Sequence, residues 1–213
     1  MFSSAGPRGS SPWFPHGQPE PLVLASASPR RKDLLEQIGL RFIQQAGAAD
    51  ESWPEGMGLG DGIAEIALRK ACSVAEHFGD AVVLGADTAV IVDGEPLGKP
   101  VSEDDAVSML KRIVGRTHEV VTGIAFVDTR LGQQRVDAEQ TEVTMRDAEE
   151  SELRSYVSTG EPMDKAGAYG IQGLGAGLVT RIGGCYFNVV GLPLSKTLFH
   201  LQRIMDNREL SNV

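Results

Sequence analysis

Two serines and two arginines that suit phosphate binding lie close together, directly after a short apolar run. They are Ser26, Ser28, Arg30 and Arg31, and Pro29 between them suits the first position of a helix with Ser28 as its cap. A strand that leads into a helix N-terminus offers free backbone N–H groups and the positive end of the helix dipole. Guanidinium groups add forked hydrogen bonds to phosphate oxygens. The segment therefore predicts a site for a phosphate chain; the alternative is a solvated, basic first turn.

The apolar pattern of this predicted helix directs its arginines toward the interior. Leu34 and Ile38 form the apolar stripe, Arg31 falls inside that arc and Arg30 lies at its edge. Gly39 is expected to end the helix.

Two carboxylates are candidates for the chemical step. Asp87 follows the apolar run 81–86, at the predicted carboxyl end of a strand, where ligands of open α/β sheets bind, and Thr88 adds a hydroxyl. A carboxylate there can bind Mg²⁺ or Mn²⁺, or take a proton from an attacking water. Glu51, in the polar, glycine-rich loop 47–60, is the expected partner. The alternatives are a turn residue at Asp87 and a solvated loop charge at Glu51.

A lysine in an apolar stripe is the next candidate. Lys70 lies in the middle of the apolar face of a predicted helix over 61–78, between Ile66 and Val74. Either it extends past the core to solvent, or it projects as a cation into a ligand cleft.

Lys99 and Lys165 each stand among Gly, Pro and Ala residues at positions poorly suited to helix. Alone, each reads as a surface lysine. Together with Arg30, Arg31 and Lys70 they fit a cradle for a triphosphate. The chain has no GxxxxGK[ST] segment, so it is not a P-loop protein. The cysteines Cys72 and Cys185 and the four histidines form no cluster with zinc-ligand spacing, which favours a hard, oxygen-bound metal. We interpret all four histidines as structural or surface residues and Cys72 as an unreactive thiol.

The composition restricts the class of protein. A net charge of −9 and 6% aromatic residues argue against a nucleic-acid binder. No run approaches the length of a membrane span, the N-terminus lacks the apolar centre of a signal peptide, and the cysteine usage suits a reducing compartment, so we expect a cytoplasmic protein.

The element pattern predicts one α/β domain around a mixed sheet, since strands alternate with helices and one hairpin turns at Asp93-Gly94. Residues 1–20 are expected to be a disordered extension, 21–207 the domain and 208–213 a tail. The strands are predicted near 22–25, 41–46, 81–86, 88–92, 120–127, 134–144, 178–182 and 186–190.

A set of motifs in order along the chain resembles the Maf family of nucleoside triphosphate pyrophosphatases. They are LASASPRR at 24–31, ALRKA at 67–71, GADT at 85–88, GKP at 98–100, VVTG at 120–123, GEPMDKAGAYGIQG at 160–173 and NVVGLPL at 188–194. The resemblance implies a single elongated α/β domain with a central mixed, twisted sheet flanked by helices and a deep cleft, similar to inosine triphosphate pyrophosphatases. It also implies a homodimer, and hydrolysis of a nucleoside triphosphate to the monophosphate and pyrophosphate with a divalent metal.

The resemblance assigns roles to residues. Asp87 would be the catalytic base and Glu51 a supporting carboxylate, and Ser26, Arg31, Lys70 and Lys99 would form the phosphate and metal environment. From the residues themselves we also expect Asp87 and Glu51 to bind the metal, Lys70 to take part in catalysis and Lys165 to bind substrate.

The branch of the family similar to this chain acts on dTTP and UTP. Arg30, Thr88 and Gln172 look like its base-specificity set, in a pocket closed by the segment 169–173. Two other functions stay open from the sequence: a phosphatase that releases only the terminal phosphate, and a non-enzymatic regulator of cell division.

Overall fold

A computed structural model describes residues 11–15 and 17–211 of the chain. Its centre is a seven-stranded sheet. The strands are β1 (Leu22–Leu24), β2 (Ile43–Gln44), β3 (Val82–Val92), β4 (Glu95–Leu97), β5 (Thr117–Asp128), β6 (Gln133–Met145) and β7 (Val179–Gly183).

Within the described residues, six α-helices pack around this sheet. They are α1 (Pro29–Gln37), α2 (Leu59–Ala75), α3 (Glu103–Ile113), α4 (Glu150–Val157), α5 (Tyr186–Val190) and α6 (Leu194–Leu210). No helix among the described residues is both long and apolar enough to cross a bilayer.

The sheet is mixed, as the alternation of strands and helices predicts. Its order is β2-β1-β3-β5-β6-β7, with β4 on the free end of β3. The strands β2, β1 and β3 run parallel to one another, whereas the pairs β3–β5, β5–β6 and β6–β7 are antiparallel. The predicted α/β class with helices flanking a mixed sheet is confirmed.

Asp87 lies inside a strand, so the prediction that it ends one was wrong. The two predicted strands are the single strand β3, which pairs with β5 along its length, Asp87 opposite Gly123. On its other edge, β1 pairs only as far as Leu84, and β4 pairs only from Val90. Between Leu84 and Val90, this edge of β3 therefore has no neighbouring strand. Polar side chains such as Asp87 and Thr88 can stand there, and for this reason the stretch looks like a strand end in the sequence.

Helix α2 approaches the sheet closely over two glycines. A Cβ at Gly85 would lie 2.2 Å from the Ala67 carbonyl oxygen, and one at Gly123 would lie 2.4 Å from that of Ile63. Since side chains alternate along a strand, Asp87 points to the α2 face and Thr88 to the opposite face. The close approach lets a side chain of α2 reach Asp87.

The segment predicted as a strand at 186–190 is instead the short helix α5. Glycines with positive φ stand on both sides of it, Gly184 at +137° and Gly191 at +126°. Its Asn188 is fully buried and donates to the Val120 carbonyl and the Thr141 hydroxyl. Local propensity favours a strand for the apolar run 186–190, but these tertiary contacts stabilise the helical conformation instead.

The ends of the domain differ from the expected boundaries. Phe14 is 4% exposed and packs in the same core cluster as Leu22, so this part of the expected disordered extension lies on the domain. Residues 1–10 and 16 lie outside the described residues. At the other end α6 runs to Leu210, because Arg208 forms a buried ion pair with Asp128. Residues 208–210 of the expected tail thus belong to α6, and residues 212–213 lie outside the described part of the chain.

Candidate active site

A cleft of about 700 Å³ opens along the free edge of β3. Its walls come from the loop after β1, the α2 helix, the β3–β4 hairpin and a segment that we call the glycine-rich wall, residues 160–177. Every residue predicted to act in catalysis or binding lines it: Ser26, Arg30, Arg31, Glu51, Lys70, Asp87, Thr88, Lys99, Lys165 and Gln172. The structure thus brings the whole predicted set together.

Lys70 joins the two candidate carboxylates. Its Nζ lies 2.5 Å from Oδ1 of Asp87 and 2.9 Å from Oε1 of Glu51. The side chains of Lys70 and Asp87 are 15% and 22% exposed, and that of Glu51 is 65% exposed. The hydrogen bond from Lys70 lowers the pKa of Glu51, with smaller contributions from Lys99 and Arg31. The alternative in which Lys70 merely extends to solvent does not describe this geometry.

The two carboxylates fit a hard divalent cation, because both oxygen donors lie within hydrogen-bond distance of one ammonium nitrogen. No group of three or more His, Cys, Asp or Glu side chains able to hold a metal occurs among residues 11–15 and 17–211. The donor set therefore fits a cation such as Mg²⁺ that completes its shell with water and substrate phosphates, as Mg²⁺ usually does.

Arg31 is directed inward, as predicted, and its guanidinium is largely held by the protein. Nε donates to the Gly191 carbonyl at 2.8 Å, NH1 to the Ser26 hydroxyl at 3.2 Å and NH2 to the Thr88 hydroxyl at 3.0 Å. Burial lowers the pKa of Arg31, and the nearby charge of Asp87 opposes this effect. Arg31 thus ties the loop after β1 to α5 and β3.

The cap of α1 differs from the prediction. The Ser28 side chain makes no capping hydrogen bond. Instead the Ser28 backbone N–H donates to the Ser26 hydroxyl at 3.2 Å, so Ser26 orders this turn.

Asp164 is a functional candidate that the sequence analysis missed. Its carboxylate pairs with Arg30 at 3.0 Å and with Lys165 at 2.6 Å. Arg30 and Lys165 therefore share one anion, while Lys99 is exposed and forms no ion pair within the described part of the chain. The only sequence signal for Asp164 was its place next to Lys165, and the contact with Arg30 spans 134 positions.

Glu161, also missed, organises the glycine-rich wall. Its carboxylate accepts hydrogen bonds from the N–H groups of Leu174 and Gly175, at 2.7 and 3.0 Å, and from the Tyr156 hydroxyl at 2.9 Å. Burial acts to raise the pKa of Glu161, but these donors outweigh it and lower the pKa. The exposed Gln172 lies in the glycine-rich wall, near the residues whose N–H groups Glu161 binds.

Thr88 takes part in a buried hydrogen-bond chain on the floor of the cleft. Its hydroxyl accepts from Arg31 and lies 2.9 Å from the hydroxyl of Thr122, which donates to the Asn188 carbonyl at 3.0 Å. Thr122 and Asn188 are fully buried.

Trp53 lines the other side of the cleft and was not predicted. It packs on Gly62, where a Cβ would lie 2.7 Å from the Trp53 ring.

Of the residues interpreted as structural, those that the structure describes do not line the cleft. His118 is buried against the Tyr169 hydroxyl, and burial lowers its pKa to about 4. His200 pairs with Asp137. Burial raises the pKa of the Cys72 thiol, in agreement with an unreactive cysteine. His16 lies outside the described residues.

The family model and the curated relatives that match this chain agree on one family. Residues 21–204 match the family described as "Maf-like protein". A dTTP/UTP pyrophosphatase of Moorella thermoacetica is 51% identical over 173 residues, which cover 81% of this chain and 89% of that protein. A dTTP/UTP pyrophosphatase of Desulforamulus reducens is 46% identical over 176 residues, or 83% of this chain and 92% of that protein. A solved structure, that of the Staphylococcus aureus Ham1 protein, covers 59% of this chain and 72% of its own, with 16% identity and a TM-score of 0.44.

Proposed function

The chain belongs to the Maf family, and on that premise we propose that it hydrolyses nucleoside triphosphates, dTTP and UTP in particular, to the monophosphate and pyrophosphate. The observation that carries this proposal is the convergence of opposite charges in one cleft. The carboxylates of Asp87 and Glu51 meet Lys70 there, and the cations Arg30, Lys99 and Lys165 line the same space.

Asp87 is the proposed general base. Lys70 donates its hydrogen bond to Oδ1 of Asp87, and Oδ2 accepts none from the described residues, so Oδ2 is free to take a proton from the attacking water. That water attacks the α-phosphorus, and the bond to the β-phosphate oxygen breaks. A divalent cation held by Asp87 and Glu51 would act as a Lewis acid on the phosphate oxygens.

Cations on the far side of the cleft stabilise the leaving pyrophosphate. Lys99 is exposed and free of ion pairs with described residues, and Arg30 and Lys165 share the charge of Asp164 alone. Asp164 neutralises one of these three positive charges, so Lys99 and Lys165 offer a net attraction to a polyanion, whereas Arg30 is assigned to the base. Ser26 and the start of α1 contribute a hydroxyl and backbone N–H groups.

Base selection is assigned to Arg30, Thr88 and Gln172, which all line the cleft, Gln172 as part of the glycine-rich wall. A pocket closed by this wall selects the smaller pyrimidines by size, and its polar groups lose hydrogen bonds with a mismatched base.

Product analysis with a substrate panel tests the function. Purified protein is incubated with dTTP, UTP, CTP, dATP and dGTP and with Mg²⁺, Mn²⁺ or a chelator, and pyrophosphate and orthophosphate are measured separately. We expect pyrophosphate from dTTP and UTP, and loss of turnover with the chelator. Orthophosphate as the sole first product would favour a terminal phosphatase. A folded protein that turns over none of these nucleotides would favour the non-enzymatic regulator.

Two wider expectations extend the proposal. The chain acts as a homodimer in the cytoplasm, as the family resemblance and the cysteine usage suggest. Light scattering of the purified protein measures its oligomeric state, and fractionation of cells that express it measures its location.

A further inference from the structure

The hydrogen-bond chain beneath the cleft has a forced direction. Arg31 donates to Thr88, and a guanidinium can only donate. Thr122 donates to the Asn188 carbonyl, and a carbonyl can only accept. Each threonine hydroxyl has one hydrogen. Because Thr122 uses its hydrogen on Asn188, its 2.9 Å bond with Thr88 requires that Thr88 donates.

This direction leaves the Thr88 hydroxyl without a free hydrogen. Its proton goes to Thr122, one lone pair accepts from Arg31, and the remaining lone pair is the only bonding capacity that Thr88 can offer a ligand in the cleft. The side chain of Thr88 thus acts as an acceptor and not as a donor.

The far end of the chain is fixed in place. The Asn188 side-chain amide donates to the Val120 carbonyl and to the Thr141 hydroxyl, both at 2.9 Å. Arg31 is itself anchored on the same helix end through the Gly191 carbonyl. Thr122 and Asn188 are fully buried, so water does not compete for the hydrogen bond between them.

We propose that Thr122 is a positioning residue for base selection: it fixes the Thr88 hydroxyl as an acceptor, which suits the N3–H of uracil and thymine. This inference rests on the proposed function, in which Thr88 faces the base. N3–H is the only donor on the pairing edge of uracil and thymine. Cytosine carries a bare N3 lone pair at the same place, so an acceptor there repels it. Thr122 does not line the cleft and acts only through Thr88.

Three substitutions test the inference, with a fourth in reserve. Thr122→Val removes the hydroxyl at nearly constant shape and frees the Thr88 proton, while Thr122→Ser keeps the hydroxyl. Thr117→Val is the matched control, since Thr117 lies on the same strand, bonds the Thr144 hydroxyl at 2.8 Å and is outside the cleft lining. Thr122→Ala removes the same hydroxyl and replaces Thr122→Val if that variant does not fold, as judged by thermal unfolding.

The measured quantity is the ratio of kcat/KM for UTP to that for CTP. We expect this ratio to fall about tenfold or more in Thr122→Val, mostly through KM, since a site that mismatches a polar group discriminates by such factors. Thr122→Ser and Thr117→Val should keep the wild-type ratio. A folded Thr122→Val protein with the wild-type ratio would overturn the inference.

Binding of the monophosphates separates this inference from the proposed activity. Calorimetry with UMP and CMP should show the same loss of preference in Thr122→Val without any turnover. If the wild-type protein hydrolyses no triphosphate but its preference for UMP over CMP still falls in Thr122→Val, the proposed reaction fails and the role of Thr122 stands. If hydrolysis is found and neither preference changes, only the role of Thr122 fails.

Discussion

The ammonium of Lys70 lies 2.5 Å from Oδ1 of Asp87, across the narrow gap between α2 and β3. The same ammonium also holds Glu51. One cation therefore balances two acids, and the charges proposed to act on a nucleotide lie together in one cleft. Such preorganised charge costs no reorganisation during the reaction.

Removal of the Lys70 charge should shift the pH dependence of the reaction. In the wild type the hydrogen bond from Lys70 lowers the pKa of Glu51, so Glu51 stays charged to lower pH. In Lys70→Met that pKa rises, and the acidic limb of the kcat/KM profile should move to higher pH, with a loss of about 100-fold at pH 7. Lys111→Met, which removes an exposed lysine paired with Glu150, is the control and should leave the profile unchanged.

Lys70 should also compete with a metal for the two carboxylates. We expect Mn²⁺ alone to bind the wild-type protein weakly and to bind Lys70→Met more tightly, because Asp87 and Glu51 are then left without their cation. Electron paramagnetic resonance of free Mn²⁺ measures this without turnover. Weaker Mn²⁺ binding in Lys70→Met would mean that Lys70 supports the metal site instead of occupying it.

Arg31→Lys should impair both stability and activity, although it keeps the positive charge. A lysine cannot reproduce the forked bonds to Gly191, Ser26 and Thr88. We expect the free energy of unfolding to fall by about 1–3 kcal/mol and kcat/KM for UTP to fall at least tenfold. Urea unfolding and steady-state kinetics measure the two effects. The control is the exposed neighbour Lys32: Lys32→Met should change neither the free energy of unfolding nor kcat/KM. Wild-type stability and activity in Arg31→Lys would contradict the role of these three hydrogen bonds.

The C-terminal end of α6 should lose stability in acid through its buried ion pair. Burial acts to raise the pKa of Asp128, but Arg208 and nearby N–H groups outweigh this and lower it. A lowered folded-state pKa gives stability that is present above the unfolded-state pKa of about 4 and is lost as the pH falls through the folded-state value. Asp128→Asn should therefore cost about 3 kcal/mol at pH 7 and progressively less below about pH 4. Urea unfolding at a series of pH values tests this, and a cost that is the same at every pH would contradict it.

The site could be predicted from the sequence where one element carried the signal alone. Arg31 and Lys70 interrupt apolar helical stripes, and that conflict pointed to a cleft before any fold was known. Asp87 was found for a partly wrong reason, since it lies within β3 beside an open edge and not at a strand end.

The residues that the sequence analysis missed act through contacts distant in the chain. Asp164 meets Arg30 across 134 positions, and Thr122 reaches Asn188 across 66. The same holds for α5, whose helical form depends on contacts of Asn188 with β5 and β6. Periodicity and local propensity carry no information on such pairs.

Pyrophosphate release by Asp87→Asn tests the central claim most directly. This change keeps the shape of the side chain and removes the carboxylate that is proposed to accept the proton of the attacking water. With dTTP and Mg²⁺ the account predicts that kcat falls by at least about 100-fold while the protein stays folded. The exposed carboxylate of Asp61, outside the cleft lining, provides the control, and Asp61→Asn should keep the wild-type rate. Release of pyrophosphate by folded Asp87→Asn at the wild-type rate would contradict the account.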